Sequence, residues 1–290
     1  EPMTTETTRR IAYQGEPGAF SHQAIKRWFG EFTAAPFPTF EAAFEAVHGG
    51  ACEMGMIPVE NSVAGRVSDV HHLLPHSGLK IIGERFLPIE MNLMAVPETS
   101  LGNIKVAASH AMALLQCRNS LRELNITAEV FHDTAGAARS LAQTREPDRA
   151  AIAPEVAAEL YGLTILKRNM EDARHNTTRF LVLTTEDKVV EPEPDVPCMT
   201  SFVFRVRNVP AALYKGLGGF ATNGVNMTKL ESYMISGQFV ATQFLCDADG
   251  HPEQPALRRA LEELAFFSSE VRVLGVYPAA PFRLAQSAGA

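Results

Sequence analysis

No apolar run in this chain approaches the roughly 20 residues that a membrane-crossing helix requires, so no membrane partner is expected. Cysteine is scarce and scattered. Cys52, Cys117, Cys198 and Cys246 make no C-x-x-C pair, which removes a disulfide framework and a zinc site and leaves a reducing cytoplasm as the simplest compartment. Positive charge is in deficit: 26 Lys and Arg against 33 Asp and Glu give a net charge of -7 with no basic stripe, which argues against nucleic acid as a partner. His71, His72, His76 and the isolated His22, His48 and His132 lack H-E-x-x-H or comparable spacing, so no metal is assigned. There is no G-x-S-x-G elbow. The glycines at 15, 18, 218 and 219 lack the third glycine and the downstream acid of a dinucleotide fingerprint. A charged-then-apolar leader pattern is also missing from the N-terminus.

What is present suits a globular protein: 290 residues, 46% hydrophobic and 20% charged, enough for two or three cores. From Arg10 to about Leu183 short apolar runs alternate with helical patterns, which is α/β grammar. Ile11 to Tyr13 precede a glycine turn and a helix near Ser21 to Phe29. Met54 to Ile57 make another strand, Lys105 to Ala108 precede a helix near His110 to Leu121, and Ala150 to Ala153 precede one near Pro154 to Tyr161. Arg85 to Val96 lacks a helical period and holds Pro88, so it reads as an extended hinge between two halves. His175 to Leu183 would then return the chain to the first half and leave a cleft. The acidic, proline-rich stretch Glu186 to Pro197 reads as a linker.

Beyond the linker the pattern changes to βαββαβ, a ferredoxin-like order. Phe202, Phe204 and Val206 alternate with Val203, Arg205 and Arg207, as a half-buried strand with a mixed outer face would. A helix carries Leu213, Leu217 and Phe220. Strand-like stretches follow at Asn226 to Ile235 and Phe239 to Cys246, with Ser236-Gly237-Gln238 as their turn. Leu257, Leu261 and Leu264 mark a second helix and Val271 to Val276 a last strand.

Several turns of the first region carry polar groups that suit an anion. Gly15-Glu16-Pro17-Gly18-Ala19-Phe20-Ser21 offers backbone N–H groups at a helix start, and equally suits a plain capped helix. In Pro58-Val59-Glu60-Asn61-Ser62, Glu60 can accept from a hydroxyl while Asn61 and Ser62 donate to a carboxylate; a plain polar loop fits as well. Ser109-His110 opens the helix carrying Gln116 and Cys117, and a structural histidine is the simpler reading there. His175-Asn176-Thr177-Thr178-Arg179-Phe180 sets an amide, two hydroxyls and a guanidinium before the apolar run Leu181 to Leu183. The Arg fork matches a carboxylate, and a solvated strand edge is the alternative.

Read together and in order, with Leu160-Tyr161-Gly162-Leu163, these motifs resemble prephenate dehydratase over nearly the whole chain. The resemblance implies a catalytic domain at 10–185 with two α/β lobes, periplasmic-binding-protein-like, and a hinge near 85–96. A linker at 186–197 and an ACT regulatory domain at 198–278 would follow. It implies conversion of prephenate to phenylpyruvate with loss of carbon dioxide and water, without a cofactor. Thr178 matches the family's catalytic threonine and Arg179 the adjacent arginine, taken to hold the pyruvyl carboxylate. Ser21, Asn61, Ser62 and Gln116 match positions that contact substrate, bordered by Glu60 and Asn176. A threonine hydroxyl is too weak an acid to protonate a leaving group unaided, so Thr178 is expected to orient or relay a proton.

The ACT resemblance rests on Asn226-Met227-Thr228-Lys229-Leu230-Glu231-Ser232 and Leu274-Gly275-Val276-Tyr277-Pro278. It implies L-phenylalanine as allosteric effector, held near Pro210, Ala211, Leu213, Asn226, Glu231 and Ser232, and a homodimer or homotetramer. Two departures bear on this: Ala211 stands where the family has glycine, and Tyr233-Met234 where it has Arg-Pro. Arogenate dehydratase is the near alternative, since arogenate carries an amino group in place of the keto oxygen. A non-catalytic two-lobed sensing protein is the other.

Overall fold

The alternating apolar runs and helical patterns of the N-terminal region become strands and helices in the computed structural model, which describes residues 9–234, 237 and 243–287. The first lobe runs β1 (Arg10–Gln14), α1 (Phe20–Trp28), β2 (Thr33–Phe37), α2 (Phe40–His48), β3 (Met54–Asn61), β4 (Gly65–Arg66), α3 (Ser68–Leu73) and β5 (Lys80–Pro88). The second runs β6 (Asn92–Ala95), β7 (Val106–His110), α4 (Ala111–Gln116), α5 (Arg118–Glu123), β8 (Thr127–Phe131), α6 (Thr134–Thr144), β9 (Arg149–Ala153), α7 (Glu155–Tyr161) and β10 (Thr164–Lys167). Strand β11 (Thr177–Thr184) then returns to the first sheet, whose order is β2-β1-β3-β11-β5 with β4 beside β3. The second sheet is β10-β6-β9-β7-β8. Phe180 to Leu183 are all buried, as expected of a strand flanked on both sides. Small side chains fill the second lobe: Ala137, Ala138, Ala151, Ala153 and Ala157 pack in one cluster, which lets α6 and α7 lie close to the sheet.

The helix expected from His110 to Leu121 is broken. Helix α4 stops at Gln116, whose carbonyl accepts from the Asp172 N–H at 2.7 Å instead of continuing the ladder, and Cys117 sits between the two helices with its sulfur 3.4 Å from Met91 Sδ. The carbonyl and the fully buried thiol together fix the bend.

The remaining elements are β12 (Cys198–Val206), α8 (Ala212–Thr222), β13 (Met227–Tyr233), β14 (Gln243–Asp249), α9 (Pro255–Phe267), β15 (Ser268–Pro278) and α10 (Pro281–Ser287), the last unanticipated. Their sheet, β13-β14-β12-β15, is antiparallel throughout and gives the ferredoxin-like arrangement. Its helix-covered face is aromatic. Phe202 stacks on Phe220 at 5.8 Å and Phe204 on Phe244 at 5.1 Å between centroids, contacts worth about 1 kcal/mol each beyond the area they bury.

The chain forms two compact units: residues to Val67 with Phe86–Phe180, and Ser68–Arg85 with the residues from Leu181 onward. In the second unit the expectation of a half-buried β12 is corrected. Val203 is fully buried, because the face it shares with Arg272, Gly275 and Tyr233 is covered by the segment Ser68–Arg85. Arg272 Nη1 donates to Pro75 O at 2.6 Å, Lys80 Nζ to Val273 O at 3.3 Å, and His72 meets the Tyr233 ring edge-on. At Gly275 a Cβ would lie 2.1 Å from the carbonyl oxygen of Ile81, so only glycine allows this approach. Helix α10 is held by Arg283, which makes a two-pronged pair with the fully buried Glu84 at 2.6 and 3.0 Å. The stretch Glu186 to Pro197 opens with a 3₁₀ turn at Glu186–Lys188 and is irregular after it. Of the expected turn at 236–238, only Gly237 falls within the described residues.

Candidate active site

Strands β3 and β11 are neighbours, and three cross-strand partnerships run in opposite directions along them: Glu60 with Arg179, Asn61 with Thr178, and Ser62 with Thr177. Successive residues of a strand face opposite sides, so these partnerships alternate between faces. On one face Asn61 Nδ2 donates to Thr178 Oγ1 at 2.9 Å and to Asn176 Oδ1 at 2.8 Å. On the other, Arg179 Nη1 donates to Glu60 Oε1 at 3.0 Å, with Arg179 only 2% exposed. Beyond them the Ser62 hydroxyl donates to His175 O at 2.8 Å and accepts from Thr177 N at 2.9 Å, joining the two loops.

The Asn61–Thr178 face opens on a cavity of about 340 Å³ within the first unit. Its polar wall holds Gln14, Ser21, Asn61, Gln116 and Thr178, and its apolar wall Phe20, Val67, Ile89, Met91, Met112 and Phe180. The helix starts at Ala19 to Ser21, His110 to Ala113 and Asp133 to Thr134 also reach it. Its charged members are acids: Glu16, paired with Arg139, and Asp133, paired with His132 at 2.8 Å and capping α6 through Gly136 N. No Lys or Arg lines it among the described residues. A second cavity of about 450 Å³ shares Gln14, Gly15, Glu16 and Asp133 and adds Pro17, Pro36, Phe37, Pro38 and His132.

Both lobes hold the glycine turn in place. Gly15 and Gly18 take φ of +124° and +99°, and a Cβ on Gly18 would press on Ala157 and the Tyr161 ring at 3.2 Å. Tyr161 donates its hydroxyl to Pro17 O, Val156 N donates to Gln23 Oε1, and Lys26 pairs with Glu159. Gly18 N donates to His22 Nδ1 at 3.0 Å, a bond that needs an unprotonated ring nitrogen, and burial beside Tyr13 holds the His22 pKa below its ordinary value. In the segment read as hinge, Met91 N donates to Glu171 at 2.8 Å, and burial raises the Glu171 carboxyl above the ordinary range.

Of the residues expected at the site, Ser21, Asn61, Gln116 and Thr178 line the cavity. Asn176, 3% exposed, lies behind them and donates from Nδ2 to Gln116 Oε1 at 2.9 Å. Ser62 spends its hydroxyl on the loop. Arg179, expected to hold a carboxylate there with Glu60 at its border, is paired with Glu60, and neither side chain is on the wall that Thr178 faces, because strand alternation turns Arg179 to the other side. The apolar wall from Ile89 and Met91 was missed. Their alternation in Ile89-Glu90-Met91 was its one signal, inside a stretch read only as hinge. His110 serves as the cap of α4, accepting from Met112 N, and the Ser109 hydroxyl is tied to Ile152 O. In the second unit Leu213 packs on the core, Asn226 donates to Asp249, Glu231 lies 3.7 Å from Lys229 Nζ, Ser232 pairs with Phe244, and Pro210 and Ala211 precede α8.

The family model described as prephenate dehydratase matches residues 11–188. The chain belongs to the prephenate dehydratase family. It is therefore an enzyme of the decarboxylating hydro-lyase kind. A bifunctional N-acyl-homoserine lactone acylase/prephenate dehydratase of Komagataeibacter europaeus is 49% identical over 275 residues, covering 95% of this chain and 98% of that one. Arogenate dehydratase 2 of Petunia hybrida is 37% identical across 95% of this chain and 73% of its own length. The solved prephenate dehydratase of Arthrobacter aurescens, in complex with L-Phe, superposes with a TM-score of 0.84 at 30% identity, covering 97% of this chain and 98% of that one.

Proposed function

We propose that this prephenate dehydratase family member converts prephenate to phenylpyruvate in L-phenylalanine biosynthesis, with residues 10–185 as catalytic domain and a hinge near 85–96. The supporting observation is the meeting of Thr178, Asn61 and Gln116, from three distant parts of the sequence, at one cavity wall. In the reaction the ring C–O bond breaks as its hydroxyl takes a proton and leaves as water. The ring carboxylate leaves as carbon dioxide, and its bonding pair completes the aromatic ring. Thr178 orients the departing hydroxyl by donating to it. With no Lys or Arg among the described wall residues, the pyruvyl carboxylate is received by backbone N–H groups at the first turn of α1, which has no side-chain cap and where the helix dipole favours an anion. The ring carboxylate loses its charge as it departs, so the apolar wall of Ile89, Met91 and Phe180 favours the transition state, in which that charge is dispersing, over the bound reactant. Catalysis is then positioning and preorganised hydrogen bonding.

The linker at 186–197 and an ACT domain at 198–278 complete the proposal, supported by the ferredoxin-like strand order. Phenylalanine is the proposed effector, acting in a cytoplasmic homodimer or homotetramer. Ala211 takes φ +59°, a left-handed conformation that glycine adopts freely, in keeping with the family's glycine at that place. The deciding experiment supplies purified protein with prephenate and follows phenylpyruvate, with and without phenylalanine. Product formation that phenylalanine slows is expected, and an inert protein overturns the reading. Replacing prephenate by arogenate in the same assay ranks the two substrates by kcat/KM.

The second cavity, with Pro17, Pro36, Phe37 and Pro38 on its wall beside the first, favours one further reading. It offers apolar room for an acyl chain, as an N-acyl-homoserine lactone acylase like the Komagataeibacter europaeus relative would use. Release of free fatty acid and homoserine lactone, followed by chromatography, tests it.

A further inference from the structure

We infer that Asn61 is a positioning residue that fixes the hydrogen-bond polarity of Thr178, so that the threonine hydroxyl donates into the cavity; the reaction it serves is the one proposed above. The two ends of the Asn61 amide are told apart by the backbone. Val63 N and Ala64 N donate to Oδ1 at 2.9 and 2.7 Å, which leaves Nδ2 as the end that faces Thr178 and Asn176. An NH₂ group only donates, so Thr178 Oγ1 is the acceptor in that bond. Its own proton has no protein acceptor among the described residues, and Thr178 lies on the cavity wall.

The same polarity runs in the other direction. Asn176 Oδ1 is occupied by Asn61, so its Nδ2 donates to Gln116 Oε1 and the Gln116 NH₂ is left toward the cavity. Three amides thus present a donor at each end, a hydroxyl at Thr178 and an NH₂ at Gln116. The proposed substrate offers acceptors at both carboxylates and at its hydroxyl. With no Lys or Arg among the described wall residues, donor polarity is what they supply for recognition.

Asn61→Asp keeps the side chain's size and an acceptor for Val63 and Ala64, but turns an acceptor toward Thr178, which then donates to the new carboxylate. Asn61→Ala leaves the hydroxyl free to rotate. The expected kcat order is wild type, then N61A, then N61D, with N61D down about 100-fold or more. A role confined to holding the turn after β3 predicts the reverse order of the variants, and that result overturns the inference. Repulsion of an anionic substrate is separated by a cycle: in a Thr178→Val background N61D should cost less than about threefold, since no hydroxyl remains to be turned, and full additivity overturns the inference. Independently of turnover, Thr178→Val in labelled protein should move one Asn61 Nδ2 proton resonance, and two unmoved resonances also overturn it. A wild type inert toward prephenate and arogenate that still shows this shift refutes the reaction and leaves the polarity standing.

Discussion

The chain carries two polar layers on sheets, and they end differently. On β3 and β11 the bonds run from Asn61 to Asn176 to Gln116 and stop with donors facing a cavity. In the second unit, on β12, β13, β14 and β15, Ser201 Oγ donates to Asp247 Oδ1 at 2.6 Å and meets the Tyr277 hydroxyl at 2.7 Å, while Gln243 bridges Tyr233 and Arg205. That layer lies under the segment Ser68–Arg85. Burial pushes the Tyr233 hydroxyl up to about 12, although the bond from Gln243 works against the shift. Burial of polar side chains therefore does not by itself mark a site. A network whose groups bond one another under a covering segment holds a fold, whereas one that reaches a cavity wall offers its last groups to a ligand.

The largest effect expected from breaking this contrast is at Gly275. A Cβ there meets the backbone of Ile81, so Gly275→Ala should cost about 4 kcal/mol or more and appear as lost soluble yield and a broad, lowered thermal transition. A normal melt would mean the covering segment is not held as described. Next is Glu60→Gln, which removes the carboxylate beside the nearly inaccessible Arg179. Because Glu60 itself is about one-third exposed, we expect about 2 kcal/mol of destabilisation, with KM for prephenate changed less than about threefold. A sharply raised KM with an unchanged melt would make the pair substrate ligands after all.

Ser201→Ala should cost about 1–2 kcal/mol and leave kcat where it was, as a purely structural network requires. Altered kcat without altered stability would contradict the division between the layers. The smallest effect is at Ala211, whose left-handed backbone is relieved by glycine at some cost in unfolded-chain entropy. Ala211→Gly should raise stability by about 0.5 kcal/mol, about 2 °C in Tm. A lowered Tm would show that the conformation carries no strain.

Much of this was legible beforehand because it is local. Strand and helix patterns placed the two lobes and the βαββαβ unit, and the turn at Asn61 and the segment at Thr178 stood out by residue type. Two readings failed where distant segments intervene. The bend after Gln116 depends on Asp172, more than 50 residues on, taking its carbonyl, and the burial of Val203 depends on a segment more than 100 residues earlier. The placing of Arg179 was hidden for a nearer reason: adjacent strand residues face opposite sides, so Thr178 faces the cavity while Arg179 meets Glu60.

By itself, then, the sequence determined the α/β order of the lobes, the βαββαβ unit and the family, since these follow from periodicity and from ordered motifs within single segments. Tertiary structure decided which face of β11 meets the cavity, which acids and cations cancel each other, and which way each amide points. Those outcomes depend on partners brought together from far apart in the chain, and a hydrogen bond has a direction only once both of its ends are in place.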